Sequence, residues 1–355
     1  RKSFIMKFEK YEWVAIAIMV SLFIFVGFIQ GWSVSLVILN MCIISAIMTM
    51  GVNISWGYAG VINFGVMGFL AMGGLAAVLV SYPPIKEAWQ VGGSGLGISF
   101  ILLILLVIAV FFITKLVEKK SHKYWLNGLV ILFGLIIIRY FFLNATAKIE
   151  EVDPALAGFL GGANLPIIFS WVVGGFFAGG VAFVIGKVAL GLRSDYLAIV
   201  TLGISEIVVS VLKHEEWLSR GVKNVIGLKR PVPYEINLQN SEWFINMVTW
   251  FNSSKLNNII DPDTKQEVLN NLIIDGSGIF VKLNYALLFF IVMVVIYYFA
   301  NKAQISPWGR MMRAIRDNEV SANAMGKDIV KQHLIIFVIG AAIVGVAGAM
   351  LVTLD

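Results

Sequence analysis

The chain has 355 residues, of which 59% are hydrophobic and 14% are charged, and its formal net charge is +6. Soluble domains carry about 25% charged residues, well above the fraction in this chain. Together with a mean hydropathy of +0.87, this low charge content excludes a soluble globular protein. The single cysteine, Cys42, excludes an intrachain disulfide, and the three histidines lie far apart with no metal-ligand spacing. The composition therefore predicts an α-helical membrane protein without a metal or redox centre.

Long apolar stretches recur along the chain, and a helix needs about 18 residues or more to cross a bilayer core. They predict about nine spans: Trp13–Ile29, Val34–Gly51, Tyr58–Val80, Leu96–Thr114, Leu126–Leu143, Ile167–Ile185, Tyr196–Leu212, Ile279–Ala300, and one from His333 to the end. We therefore expect an all-α polytopic protein with transmembrane helices in residues 1–213 and 279–355, and an external loop or insertion in residues 214–278. The last span reaches Asp355 with no loop after it, so we also expect further C-terminal helices to be missing.

The distribution of Lys and Arg predicts the orientation of these spans. With the N-terminus inside, sixteen of these residues fall in inside segments, whereas the short outside loops hold only Lys86 and Lys148. Short cytoplasmic loops retain Lys and Arg. The long segment Lys213–Gly278 carries seven more, but long loops do not follow this rule reliably. A cytoplasmic N-terminus is predicted. Contact with anionic lipid headgroups explains the net charge, and no stacking aromatics accompany the basic residues, so we expect no nucleic-acid partner.

A glycine-rich segment, residues 57–74, interrupts the third predicted span. Each glycine costs a helix about 1 kcal/mol relative to alanine. Two interpretations stay open: close packing of helices through small faces, or a broken helix that lines a translocation path, with the Asn63 amide serving freed backbone groups. The glycines are Gly57, Gly60, Gly65, Gly68, Gly73 and Gly74.

The external segment, residues 214–278, is polar and punctuated by three prolines, Pro231, Pro233 and Pro262. Long loops of this kind are usually functional or disordered, and an insertion without a role in transport is the alternative. The aromatic residues around Trp243 and Trp250 predict a short amphipathic helix on the outer face.

Glu206 lies within the seventh predicted span, where an ionised carboxylate costs on the order of 3 kcal/mol. It should therefore face a partner helix or a wet cavity. Two roles stay open for it: helix packing and register, or direct participation in a path.

The segment from Asn301 to Gln332 lies between the last two spans and contains strong helix signals. Ser306 is a good N-cap, Pro307 suits the first helical position, and Gly326 can end the helix in a left-handed conformation. The pattern predicts one amphipathic helix from Ser306 to Gly326, with Arg310, Arg313 and Arg316 directed toward lipid headgroups or an acidic partner. A helix resting on the membrane surface is the alternative to a docking site for another protein.

The chain has no nucleotide-binding motif of its own. Gly180, Gly186 and Lys187 resemble a phosphate loop, but five residues separate the glycines and Val188 follows the lysine, where Ser or Thr is required. An intramembrane enzyme is also disfavoured, because no Ser with a nearby base, paired carboxylates or His cluster is found in the sequence.

Three stretches carry a resemblance to a known family: GYAGVINFGVMGFLAMGG at 57–74, LRSDYLAIVTLGISEIV at 192–208 and SPWGRMMRAIRDNEVSANAMG at 306–326. They resemble the branched-chain amino-acid ABC transporter permease family. Residues 218–231 match that family's external glycine-rich motif only loosely, with Lys229 where proline is usual, and the insertion after Pro233 is not typical of it.

The resemblance implies a type II importer-like permease subunit in a bacterial inner membrane. It implies coupling to an ATP-binding subunit through Arg310, Arg313, Glu319, Ala322 and Gly326, and a path or packing role for Gly57, Gly60, Asn63, Gly65 and Glu206. It further implies a second homologous permease, two ATP-binding subunits that hold ATP and Mg, and a periplasmic substrate-binding protein, while this chain is non-catalytic and holds no cofactor.

The substrate is left open by the spans, because related permeases carry other amino acids, amides or urea. The alternative mechanism is a secondary transporter that is driven by an ion gradient and uses Glu206 as its proton site.

Overall fold

The structure is a computed structural model, which describes residues 10–116, 120–153, 158–191 and 194–354. Within these ranges all regular structure is helical. The long helices are α1 (Lys10–Ile29), α2 (Trp32–Asn53), α3 (Val66–Ser81), α4 (Lys86–Leu116), α5 (Lys120–Glu150), α6 (Ile167–Ala189) and α7 (Ser194–His214). The short helices α8 (Glu216–Ser219), α9 (Glu235–Gln239), α10 (Glu242–Phe251) and α11 (Ser253–Asn257) follow. The chain continues with α12 (Pro262–Ile305), α13 (Pro307–Asp317), α14 (Glu319–Ala324) and α15 (Ile329–Leu354).

Seven of the described helices are long and apolar enough to span a membrane, and two shorter apolar helices, Trp13–Ile29 and Val66–Ser81, accompany them. Each of the nine predicted spans overlaps one of these helices. The prediction of an all-α polytopic fold is confirmed. Five of the cations behind the predicted orientation, Arg1, Lys2, Lys7, Lys119 and Arg193, lie outside the described residues, as do the first two residues of the 192–208 stretch and Asp355.

The centre of the bundle is formed by α3, α6 and α15, which pack against one another through small residues. Ala76, Ala178 and Ala341 are fully buried there, and the rings of Phe69 and Phe337 meet edge to face at 5.7 Å. Membrane helices associate closely where small side chains let their backbones approach. Helices α2 and α12 pack beside this centre and extend its buried core with Ile44, Ile47 and Phe289.

Helices α4 and α5 form a long antiparallel hairpin at the side of the bundle. The hairpin meets the rest of the described chain near the start of α4 and the end of α5, where Trp89 Nε1 donates to the Leu160 carbonyl at 3.0 Å. The Trp217 backbone N–H donates there to the Glu150 carboxylate at 3.3 Å. The apolar flanks of the hairpin are exposed, as lipid-facing helices are.

Helix α12 differs from its predicted extent because it begins at Pro262, well before the predicted span at Ile279. Asp261 caps it by accepting a hydrogen bond from the Thr264 backbone N–H at 3.2 Å, and Pro262 occupies the first turn. At 1.5 Å per residue its 44 residues span about 66 Å, more than twice a hydrocarbon core. The first turns of α12 therefore project beyond the membrane and carry part of the predicted external segment.

The predicted amphipathic helix on the outer face corresponds to α10. Phe244 and Val248 are buried, and the rings of Phe244 and Phe280 of α12 lie 5.7 Å apart, whereas Trp250 and Phe251 are exposed. One face of α10 thus packs on α12 near Phe280.

Candidate functional site

A helix break separates α2 from α3. It contains the irregular backbone of the glycine-rich segment. Helix α2 runs into a π-helical turn, Ile54–Tyr58, and regular helix resumes only at Val66. Gly60 has φ +71, a left-handed conformation that glycine adopts without steric cost. The third span therefore starts at Val66 and not at the predicted Tyr58.

Side chains satisfy the backbone groups that the break sets free. The Asn63 side-chain oxygen accepts a hydrogen bond from the Gly65 backbone N–H at 2.9 Å. Two hydroxyls of α7 do the same: Thr201 accepts from the N–H of Phe64 at 3.2 Å, and Ser205 accepts from the N–H of Gly68 at 2.7 Å. Unpaired N–H groups at a helix start are costly when buried, so α7 stabilises the start of α3.

The glycines occupy two kinds of position, at close helix contacts and in the break, and whether the break lines a path stays a prediction. A Cβ on Gly73 would lie 1.9 Å from the Gly345 carbonyl oxygen, and one on Gly65 would lie 2.9 Å from that of Thr201, so these two glycines allow close packing. Gly57 and Gly60 belong to the break. A Cβ on Gly57 would lie 2.1 Å from the side-chain oxygen of Asn53.

Glu206 directly follows Ser205 on α7 and is exposed on the outside of the bundle. Within the described part of the chain it forms no hydrogen bond or ion pair. Its neighbours Leu202 and Ile207 are exposed as well, so the carboxylate lies in an apolar surface at the depth of the span. The structure therefore places Glu206 beside the helix break but turned away from the packed centre.

The segment after α12 forms two helices where the sequence predicted one from Ser306 to Gly326. Ser306 caps α13 as predicted, accepting from the Gly309 N–H at 3.3 Å. The helix stops at Asn318, which is extended with φ −157 and ψ 97 and caps α14 by accepting from the Ser321 N–H at 3.0 Å. Asparagine is a strong N-cap, and here its local bond interrupts the longer helix.

The inner face of α13 is fixed to the bundle. Met312 and Ile315 are fully buried, and Trp308 Nε1 donates to the Gln332 side chain of α15 at 3.1 Å. Gly309 permits the sharp approach to α12, since a Cβ there would lie 2.4 Å from the Gln304 carbonyl oxygen.

The two arginines predicted for coupling have partners within the chain. Arg310 donates to the Ile305 carbonyl at 3.0 Å and Arg313 donates to the Gln304 carbonyl at 3.3 Å. Both carbonyls belong to the last turn of α12, where helical partners are lacking and the helix dipole favours cations. These two exposed arginines therefore cap α12, and their contact with headgroups or an acidic partner stays a prediction.

Arg316 makes a contact that the sequence did not predict, since the sequence indicated only that it belongs to the basic face of the helix. Its Nη1 donates to the Gly57 carbonyl oxygen in the π-helical turn at 2.7 Å, which links α13 to the helix break. A cation one turn past buried Met312 was visible in the sequence, but its partner 259 positions away was not.

The outer surface of α14 is open. Glu319, Val320 and Met325 are exposed, Ala322 is half-buried, and Gly326 has φ +75, as expected of a left-handed helix end. The predicted coupling residues thus fall into two groups: Arg310 and Arg313 against α12, and Glu319, Ala322 and Gly326 on or near the open surface.

A large groove of about 1060 Å³ runs along α3 toward the opposite end of the bundle from α13. Met67, Leu70 and Val78 line its wall, and residues 223–230 line the end that lies farther from α13. The described lining includes four cations and no carboxylate: Lys213, Lys223, Lys229 and Arg230. Across the described ranges, no group of three or more His, Cys, Asp or Glu residues could hold a metal ion.

Comparison with known proteins agrees with this architecture. Residues 34–354 match the family model described as branched-chain amino acid transport system / permease component. The chain is 28% identical over 178 residues to the high-affinity branched-chain amino acid transport system permease protein LivM of Escherichia coli K12, which covers 50% of this chain and 38% of that protein. It is 28% identical over 176 residues to the LivM protein of Salmonella typhimurium, covering 50% and 37%.

A shorter match joins the chain to an archaeal protein. It is 38% identical over 56 residues to the probable branched-chain amino acid transport permease protein LivM of Methanocaldococcus jannaschii, covering 16% of each. The matched regions thus span less than two fifths of the first two relatives and a smaller part of the third. No solved structure matches the chain. Because the family model covers nearly all of the described spans, the chain is a multi-pass membrane protein that belongs to the family of permease components of branched-chain amino acid transport systems.

Proposed function

We propose that the chain is the non-catalytic transmembrane subunit of an ATP-driven importer for branched-chain or related amino acids in a bacterial inner membrane. Its partners are two ATP-binding subunits that hold ATP and Mg, a second homologous permease and a periplasmic substrate-binding protein. Membership of the permease family supports the transport role. The substrate class is carried over from the names of its relatives.

The proposal rests on one observation: α13 has a buried inner face, and α14 beside it has an exposed surface. The inner face of α13 buries Met312 and Ile315, while Glu319 and Met325 stand exposed beyond it. A fixed inner face lets a force applied to the outer surface move the bundle and not just the loop. An ATP-binding subunit that docks on the exposed surface would drive alternating access by rigid-body rocking.

The exposed face of α7 supports a second permease subunit as its cover. An ionised carboxylate such as Glu206 costs on the order of 3 kcal/mol in hydrocarbon, so contact with lipid alone would be unfavourable. In the proposed assembly this face turns to the partner permease and to a water-filled path between the two subunits. The groove along α3 would form this chain's part of that path.

The test is reconstitution of the chain with ATP-binding subunits, a second permease and a substrate-binding protein in proteoliposomes. Glu319→Ala and Gly326→Val should lower both uptake and ligand-stimulated ATP hydrolysis by about fivefold or more, as loss of an interface hot spot does. Glu242→Ala is the matched control, because Glu242 is likewise the exposed first residue of a short helix, at the other end of α12.

Unchanged stimulation in both variants would contradict docking at α14. Uptake that persists without ATP-binding subunits and collapses with an uncoupler would instead favour the secondary transporter. Screening branched-chain amino acids, other amino acids, amides and urea against the copurified binding protein would test the substrate class.

A further inference from the structure

We propose that Arg316 is a positioning residue that joins α13 to the helix break, so that the two move together during transport. This inference rests on the proposed function and names the contact through which docking at α14 would reach the transmembrane path. The contact joins residues that lie 259 positions apart, at the point where the glycine-rich segment meets the helix after α12.

The guanidinium of Arg316 is oriented for this contact. Its Nε and Nη2 donate to the same Asp317 carboxylate oxygen at 3.1 and 3.0 Å, which leaves Nη1 to donate to the Gly57 carbonyl at 2.7 Å. A hydrogen bond from a charged donor is stronger than a neutral one. The Arg316–Asp317 ion pair itself is solvent-exposed, so it orients the arginine and adds little to the stability of the fold.

The backbone of the break also fits closely under the arginine stem. A Cβ on Gly60 would lie 3.0 Å from Arg316 Cγ and 3.8 Å from Arg316 Cβ. Gly60 is left-handed, so the chain can turn beneath the side chain without a collision. Arg316 therefore holds the break by a hydrogen bond to Gly57 and by van der Waals contact with Gly60.

The same break is tied on its other side to α7. Asn63 bonds Gly65 within the break, and Thr201 and Ser205 of α7 receive the N–H groups of Phe64 and Gly68. Glu206 is the next residue after Ser205. A continuous series of contacts thus leads from α13 through Arg316 and the break to the helix that carries Glu206.

The first experiment measures uptake and ATP hydrolysis together in the reconstituted complex. Arg316→Met keeps the aliphatic stem over Gly60 and removes the donor to Gly57. Stimulated ATP hydrolysis should persist, because α14 is untouched, whereas substrate transported per ATP should fall by at least about fivefold, the usual lower bound of an allosteric coupling. Lys331→Met is the matched control, a single cation-to-methionine change at an exposed position near the start of α15.

The second experiment replaces the contact by a covalent one. The 3.8 Å between the Cβ positions of residues 60 and 316 suits a disulfide, so Gly60→Cys and Arg316→Cys are combined in a Cys42→Ala background. Oxidation should raise transport per ATP above that of the reduced double variant, and reductant should reverse the gain. The Gly60→Cys single variant measures the effect of a side chain at a left-handed position.

An unchanged transport ratio in Arg316→Met, or no gain on oxidation of a double variant shown to be cross-linked, would overturn the role of Arg316. Failure of the proposed function has a different signature, since the unmodified chain would then show no ATP-dependent uptake with its partner subunits.

Discussion

Single glycines set the distances between helices at the centre of the bundle. Gly73 of α3 faces the backbone of Gly345 in α15, and Gly348 faces the backbone of Leu70 in return, where a Cβ would lie 2.1 Å from the carbonyl oxygen. A backbone carbonyl cannot rotate away as a side chain can. Even a methyl group at these positions therefore requires the helices to separate.

Gly73→Ala should destabilise the protein, because its Cβ would lie 1.9 Å from the Gly345 carbonyl oxygen. Overpacking of a filled interior costs about 1–3 kcal/mol. The measurement is the thermal unfolding midpoint of the purified protein in detergent. Gly180→Ala is the control in α6: nothing lies within 4 Å of a Cβ there, and alanine is the better helix former. Equal midpoints for the two variants would contradict the close approach of α3 and α15.

At the scale of elements, the sequence predicts some helix starts but does not show where a helix is interrupted. Ser306 and Pro307 begin α13 as the sequence predicts, and Gly326 adopts the predicted left-handed conformation. Asn318 is equally local, but the apolar pattern continues past it and suggested one helix. The start of α12 at Asp261–Pro262 carries the same cap signal, yet the polar residues that follow suggested a loop.

Asn318→Ala should loosen α14 while leaving α13 in place, because it removes the bond to the Ser321 N–H. Loss of an N-cap costs about 0.5–2 kcal/mol of helix stability. Hydrogen exchange of residues 319–324 should accelerate by about twofold to thirtyfold, with residues 307–317 unchanged. Asn323→Ala, at an exposed position inside α14, is the control. Equal exchange in the two variants would show that the cap does not hold α14.

At the scale of the whole molecule, periodicity and composition predict the spans because lipid constrains every crossing in the same way. Contacts between distant parts of the chain were not predictable from one sequence. Arg316 and Gly57 lie 259 positions apart, and nothing in either local pattern names the other. Thr201 and Ser205, whose hydroxyls accept hydrogen bonds from the N–H groups of Phe64 and Gly68, likewise look in the sequence like ordinary small residues of a span.

The orientation of the bundle yields a last prediction. Residues 214–261 precede the start of α12 and α13 follows its end, so a helix of 44 residues places them at opposite ends of the bundle. The segment before α12 carries several cations, including Lys223, Lys229 and Lys255, and so opposes the charge rule. Segments as long as this one translocate largely regardless of charge, so the short basic segments should decide.

In a Cys42→Ala background, we expect Ser254→Cys to react with a membrane-impermeant maleimide added to spheroplasts. Lys327→Cys should react only after the membrane is made permeable, because it follows α14 at the end of the bundle for which the short basic segments predict the cytoplasmic side. Both positions are exposed, so a difference in labelling reports the side of the membrane and not burial. The reverse pattern would place α13 and α14 outside the cell, away from ATP, and would remove the basis for docking of an ATP-binding subunit.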